Sequence, residues 1–270
     1  MTVSLLKRTS IKTRHFAVAA AFVLMTGATP QAYAAEPGLD ELMRHFDSVV
    51  FGSEIEGVKP AEYIQKWMTP IRVSITSMKG DMINKPDGKR ELKLSYAPPG
   101  KNQVDMIRKH LTTLVKLTGA QSEKSDKENG KPANFIIKFV PRLVMGQPFL
   151  ANDVDPEILK RLGQPGVCYF LTRSISTGAM FRSLIVVNNE LPPEQMNACL
   201  LEEMTQAMGL PNDSDIVSPS IFNQKSTAET LSPFDTVLIK TLYDKRLPAG
   251  TPRSDALRIG RDIMSEHLAQ

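Results

Sequence analysis

The stretch CLLEEMTQAMGLPND, from Cys199 to Asp213, constrains the fold most, because it specifies one helix, the end of that helix and its two faces. Two prolines precede the stretch, and Gly209 followed by Pro211 ends the apolar pattern, so we predict a helix over about residues 192–210. At about 100° per residue the helix has two distinct arcs. The apolar arc holds Leu200, Leu201, Met204, Ala207 and Met208. The opposite, polar arc holds Cys199, Glu202, Glu203 and Gln206, and it faces either solvent or a cleft.

The polar residues have the spacing of a zinc-protease helix, H-E-x-x-H-x-x-G-x-x-H, in which two ligands one turn apart reach the same ion. On that pattern Glu202, Gln206 and Asn212 take the three ligand positions. Glu203 takes the position of the general base that activates the metal-bound water. Because catalytic zinc sites use imidazole with at most one carboxylate as a rule, a set of oxygen ligands would hold zinc poorly. We therefore expect no metal at this site and no other cofactor.

The first 34 residues have the composition of a secretory signal peptide. Four basic residues and no acidic ones occur in this segment, and an apolar run, FAVAAAFVLMTGA, precedes an Ala-Tyr-Ala sequence. The apolar run is too short to span a bilayer comfortably. We predict cleavage between Ala34 and Ala35, a periplasmic or secreted protein, and no transmembrane anchor after cleavage.

Charge and cysteine content narrow the classes of partner and of chemistry. The 270 residues include 33 basic and 29 acidic ones, and removal of the four basic residues of the leader leaves 29 of each. A near-neutral protein does not have the charge of a nucleic-acid-binding protein. In an exported chain Cys168 and Cys199 most simply form one disulfide, with Cys168 on a strand beside the motif helix. Two buried thiols, or a metal ligand at Cys199, are the alternatives.

The remaining pattern predicts a mixed fold. Alternating apolar residues indicate strands at 71–77, 91–97, 133–141, 168–176 and 181–189. Helical periodicity indicates helices at 39–51, 102–119, 155–163, 231–247 and 254–269. We expect a sheet covered on one side by helices. Trp67 is expected in the core, and His110 and His267 on helix surfaces.

Several segments resemble the bacterial domain of unknown function 2927 over roughly residues 40–250. They are EYIQKWMTPIRVSI, GVCYF, CLLEEMTQAMGLPNDSD, SIFN and LSPFDTVLIKTLYDKRL. Members of that family are exported proteins or lipoproteins of proteobacteria with no established activity. Unlike the lipoprotein members, this chain has no cysteine directly after the apolar run of the leader.

The element order also resembles that of a metzincin, and LSPFDTVLIKTLYD is similar to the segment that follows the metal site in matrix-type proteases. This resemblance implies an α+β, zincin-like fold with a mixed, mostly parallel sheet, a long helix, the motif helix and C-terminal helices. The methionine turn has no clear match, so Ile221 or Phe222 would have to take the packing role of that methionine. We divide the mature chain into an N-terminal helical segment (35–65), a zincin-like domain (66–250) and a C-terminal helix (251–270).

Three functional hypotheses follow. The first is an exported zincin-like protein that has lost zinc catalysis and binds a peptide or an envelope protein, or assists envelope assembly. The second is a peptidase-like hydrolase with Glu203 as general base. The third is an exported domain whose polar arc is merely solvated. A cysteine nucleophile paired with His45, His110 or His267 is a further, less supported alternative.

Overall fold

The computed structural model describes residues 36–53 and 58–269. The predicted leader and its cleavage site at Ala34 and Ala35 lie outside these residues. Residues Pro37–Gln270 form one compact unit. The division of this unit at residues 65 and 250 stays a prediction.

The described residues contain six helices of the α type and six strands. The helices are α1 (Leu39–Phe51), α2 (Lys101–Thr118), α3 (Pro156–Gly163), α4 (Pro193–Gln206), α5 (Pro233–Tyr243) and α6 (Arg253–Leu268). The strands are β1 (Lys66–Trp67), β2 (Val73–Asn84), β3 (Arg90–Ala97), β4 (Phe135–Val140), β5 (Cys168–Ser174) and β6 (Ala179–Asn188). None of these helices has the length and apolar character needed to cross a bilayer.

The six strands form one mixed sheet. Strands β3, β2, β4 and β6 follow one another in that order, and both β5 and the short β1 pair with β6. The β2–β4, β4–β6 and β1–β6 pairs are parallel, whereas β2–β3 and β5–β6 are antiparallel. The register aligns Ile75, Ile137 and Ile185 across the middle of the sheet. The prediction of an α+β fold with a mixed, mostly parallel sheet is confirmed.

Both faces of the sheet are covered, so the expectation of one covered face is wrong. Ile185 and Val187 of β6 belong to the main core, with residues of α1, α2, α4, α5 and α6. Leu184 and Val186, which point the other way, belong to a second, smaller core with Leu159 of α3. The reason is visible in the apolar runs of β4 and β6, since strands buried on both faces do not alternate apolar with polar residues.

The buried face of α2 contains a histidine that was expected on the surface. The buried positions of this helix are Ile107, His110, Leu114 and Thr118. His110 is therefore not on a surface, and its Nε2 lies 2.8 Å from Oδ1 of Asn197 in α4. A histidine can be buried between the two helices because α4 supplies a hydrogen-bonding partner for it. The periodicity of α2 alone does not reveal this partner.

The lone tryptophan is a core residue, as expected. Trp67 is buried, and its Nε1 donates a 2.9 Å hydrogen bond to the carbonyl oxygen of Ala207 just after α4. Its ring packs at 5.9 Å from the ring of Phe135 in β4. Ile221 and Phe222 are also buried in the main core. The contacts of Trp67 with Ala207 and Phe135 hold the C-terminal end of α4 against the sheet.

Candidate functional site

The motif helix ends by a close approach to the segment before β1. Gly209 has φ of +105°, a backbone conformation that L side chains rarely adopt. A Cβ at this position would also collide with the carbonyl oxygen of Gln65. The glycine that ends the helical pattern in the sequence is thus required both by its backbone angle and by the lack of space.

The polar arc of α4 is not a solvated face. The side chains of Cys199, Glu203 and Gln206 are only 3%, 7% and 2% exposed, and Glu202 is partly buried. The helix is buried nearly all round because its polar arc meets β5 and the chain that follows the helix. The hypothesis of a merely solvated arc does not fit this burial.

Cys168 and Cys199 form a disulfide with a Cα–Cα distance of 6.3 Å. Cys168 is the first residue of β5, and Cys199 lies in the middle of α4. The predicted bridge between a strand and the motif helix is confirmed. With both sulfurs bonded to each other, neither cysteine is available as a nucleophile beside a histidine in this state.

The three residues at the ligand positions are joined through Asp213. Nε2 of Gln206 donates to Oδ1 of Asp213 at 2.9 Å. Nδ2 of Asn212 donates to the carbonyl oxygen of Asp213 at 2.7 Å and to that of Ser48 in α1 at 3.1 Å. The carboxyl group of Glu202 experiences the negative charge of Asp213. The motif helix and the following chain therefore share one polar network.

Burial changes the ionisation of Glu202 within this network. Burial, and then the charge of Asp213, raise the pKa of Glu202 to about 8. At neutral pH the carboxyl group is therefore mostly protonated. One carboxyl and two amide groups, with no imidazole, do not fit a catalytic zinc ion, which binds imidazole with at most one carboxylate as a rule. The zinc implied by the zincin resemblance is not supported by these residues.

A cleft of about 610 Å³ lies along β5, and Glu203 and Cys168 line it. One wall is formed by β5 residues 168–173. Part of α3 lines another side, together with Gly52, Ser53, Val58, Lys59 and Ala61. Charged side chains at the cleft are Lys59, Asp153, Asp155, Arg161 and Arg173. Glu203, at the general-base position of the motif, therefore lies in the wall of this cleft, although its side chain is only 7% exposed. Glu202, Gln206 and Asn212 do not line the cleft.

The outer edge of β5 borders the same cleft. The amide of Asn188 donates to the carbonyl oxygen of Val167, which sets the antiparallel register with β6. In such a ladder alternate residues point their backbone groups away from the partner strand. Those residues are Cys168, Phe170 and Thr172. Among the described strands, only β6 pairs with β5, so this edge has no strand partner there.

A second polar cluster joins α1, the chain before α5 and α5 itself. Oγ of Ser220 donates to Oδ1 of Asp235 at 2.6 Å, and Nε2 of His45 lies 3.4 Å from the same Oγ. In a serine-hydrolase triad the histidine lies between the serine and the acid, whereas here the serine lies between. All three residues are buried, and burial lowers the pKa of His45 to about 4. This cluster fits a structural link better than a catalytic one.

The sequence pattern identifies the motif helix but does not reveal two neighbours of that helix, Asp213 and the outer edge of β5. Asp213 ends the motif stretch, but the helical spacing does not indicate that it accepts a hydrogen bond from Gln206. The edge of β5 carried no signal, because CYFLTRS shows a strand without showing which of its edges is paired. Only the sheet topology supplies that information.

A family model matches most of the chain. It is described as Protein of unknown function (DUF2927) and matches residues 39–262, from the start of α1 into α6, so that it includes both β5 and α4. Comparisons with curated proteins and with solved structures found no significant match. Because the matched region is most of the chain, this protein belongs to the DUF2927 family of proteins of unknown function.

Proposed function

We propose that this DUF2927 protein is exported and binds an extended segment of a cell-envelope protein, without zinc catalysis, on a frame that resembles a zincin. The observation that carries the proposal is the outer edge of β5, which borders the cleft along residues 168–173. The composition of the first 34 residues supports export. The helix spacing and the order of elements support the zincin-like frame.

An extended peptide can bind such an edge as an added strand. The main-chain groups of Cys168 and Phe170 and the N–H of Thr172 would supply the hydrogen bonds, and alternate side chains of the peptide would enter the cleft. The carbonyl oxygen of Thr172 already accepts a hydrogen bond from Arg173. Six strand residues span about 20 Å, which suits a peptide segment of similar length. Both acidic and basic side chains line the cleft, so a peptide of mixed charge suits it better than a uniformly charged one.

The alternative is a peptidase-like hydrolase with Glu203 as general base, because Glu203 lines the cleft in which the peptide would lie. General-base catalysis needs a carboxylate within reach of a water or a reacting group. In a zincin a bound zinc ion polarises the peptide carbonyl, but Glu202, Gln206 and Asn212 are poorly suited to bind that ion. We therefore prefer binding to hydrolysis.

Selection of random peptides displayed on phage against the purified chain tests the proposal. Enriched peptides are synthesised, and their affinities are measured by isothermal titration calorimetry. Thr172→Pro removes one outward N–H without touching the bonds to β6 and should weaken binding by about tenfold, the value of one hydrogen bond. Thr172→Val keeps the N–H and is the matched control, with unchanged affinity expected.

The proposal fails if no peptide is enriched, or if Thr172→Pro binds enriched peptides as tightly as Thr172→Val. Mass spectrometry of the same mixtures distinguishes the alternative. If the wild type cleaves a bound peptide and the Glu203→Gln variant does not, the chain is a hydrolase and the binding proposal is wrong.

A further inference from the structure

We propose that Cys168, Cys199 and Glu203 form a zinc-binding site when their disulfide is reduced by a dithiol. This site is distinct from the three positions that the zinc-protease spacing singled out. It is also independent of strand addition at the edge of β5, because it uses side chains and not the backbone of that strand.

The geometry brings three metal-binding groups together. The two sulfurs and a carboxylate oxygen of Glu203 all lie within 4.8 Å of one another. Cys199 and Glu203 are four residues apart in α4, so they are neighbours one turn apart on the same face. Cys168 reaches them from the first residue of β5. The ligands therefore come from two regular elements that are packed in one core.

The protein frame should survive reduction of the bridge. Strand β5 is held by its ladder with β6, and α4 is held by buried side chains such as Leu200 and Met204. After reduction, rotation about the Cα–Cβ bonds can separate the sulfurs. Two thiolates on a tetrahedral zinc ion lie about 3.8 Å apart, given Zn–S bonds of about 2.3 Å, which a Cα–Cα distance of 6.3 Å permits.

The redox step balances with a dithiol as the reductant. The dithiol supplies two electrons and two protons, which convert the Cys168–Cys199 bond into two thiols, while the dithiol itself closes into a disulfide. The reductant can approach because Cys168 is partly exposed and lines the cleft. Zinc then replaces the two thiol protons, which are released to solvent.

The ligand set favours zinc over harder cations. Thiolates are soft ligands that select zinc over magnesium or calcium, and a carboxylate is an accepted third ligand. The cleft leaves the fourth tetrahedral position open to water or to a group of a bound molecule. The bridge thus excludes the metal when oxidised and creates its ligands when reduced.

Cobalt(II) and zinc(II) titrations of the purified chain test this inference. The disulfide is reduced with a trialkylphosphine, because dithiol reagents themselves bind zinc. The reduced chain should bind one cobalt ion with a thiolate-to-cobalt charge-transfer band in the near ultraviolet, and zinc should displace the cobalt. The oxidised chain should show no such band. Glu203→Gln, which keeps both sulfurs, should weaken zinc binding by at least about tenfold, since even supporting groups of metal sites are worth that much.

The Cys168→Ala/Cys199→Ala variant is the control for adventitious binding and should show no charge-transfer band. Equal zinc affinity in this variant, in the oxidised chain or in Glu203→Gln would overturn the inference. Circular dichroism measures whether the chain stays folded after the disulfide is reduced. A reduced chain that is unfolded and is not restored by zinc would also show the inference to be wrong.

Discussion

Glu202 illustrates how one residue can bind protons differently in the folded and unfolded chain. Its pKa rises from 4.5 to about 8 on folding, because the carboxyl group is buried and faces the charge of Asp213. Between these values the folded state holds a proton that the unfolded state has lost, so stability falls as the pH rises through this window. Glu202→Gln keeps the shape without the charge. It should be more stable than the wild type above pH 8 by about 1 to 4 kcal/mol, and the gain should vanish below pH 4.5.

Urea unfolding of both proteins across this pH range measures the difference. Glu194→Gln is the matched control, because Glu194 is exposed at the start of the same helix. It should stay within about 0.5 kcal/mol of the wild type. A gain for Glu202→Gln that does not change with pH would contradict the assignment.

The start of α5 shows how one element is fixed by another. Oγ of Ser232 accepts from the amide of Asp235, and the Asp235 carboxylate accepts from the amide of Ser232, which is a reciprocal cap. The same carboxylate accepts hydrogen bonds from Ser220 and from the amide of Ile221. Ser232→Ala should therefore cost about 1 kcal/mol, the value of a cap. Asp235→Ala should cost about 3 kcal/mol or more, because it leaves several buried donors without an acceptor.

Thermal and urea denaturation measure both losses. Ser254→Ala, at an exposed position in the first turn of α6, is the control and should have little effect. A loss for Ser232→Ala as large as that for Asp235→Ala would show that the links to Ser220 and Ile221 contribute nothing.

On the scale of the whole molecule, the disulfide joins the sheet to the motif helix. Its cysteines are 31 residues apart, and closing a loop of that length restricts the unfolded chain by about 3 to 4 kcal/mol in the loop-entropy model. The Cys168→Ala/Cys199→Ala variant should lose stability of that order when unfolding is measured in urea with a metal chelator present.

The wild type reduced with a trialkylphosphine is the matched comparison, and its loss should be similar. If the double variant unfolds at the same urea concentration as the oxidised wild type, the bridge does not contribute to stability.

Local patterns determined most of the elements. The two prolines at the start of α4 and Gly209 after it identify the helix, and the β-branched runs identify β2, β4 and β6. The pairing of Cys168 with Cys199 was also predicted from the sequence, because two cysteines can form only one intramolecular disulfide. These features depend on residue types with special backbone angles, such as proline and glycine, and on the number of cysteines. Both can be read directly from a sequence.

Only the tertiary structure decided which surfaces meet. It buried His110 against Asn197, paired Gln206 with Asp213, and left the outer edge of β5 beside Glu203. Contacts of this kind join residues that are distant in the chain, and periodicity gives no information on the partner of a face or an edge. The sequence therefore determined most of the elements and the residues of the motif. The packing of α4 against β5 decided that the two cysteines meet, that the polar arc is buried and that Glu203 lies in the wall of a cleft.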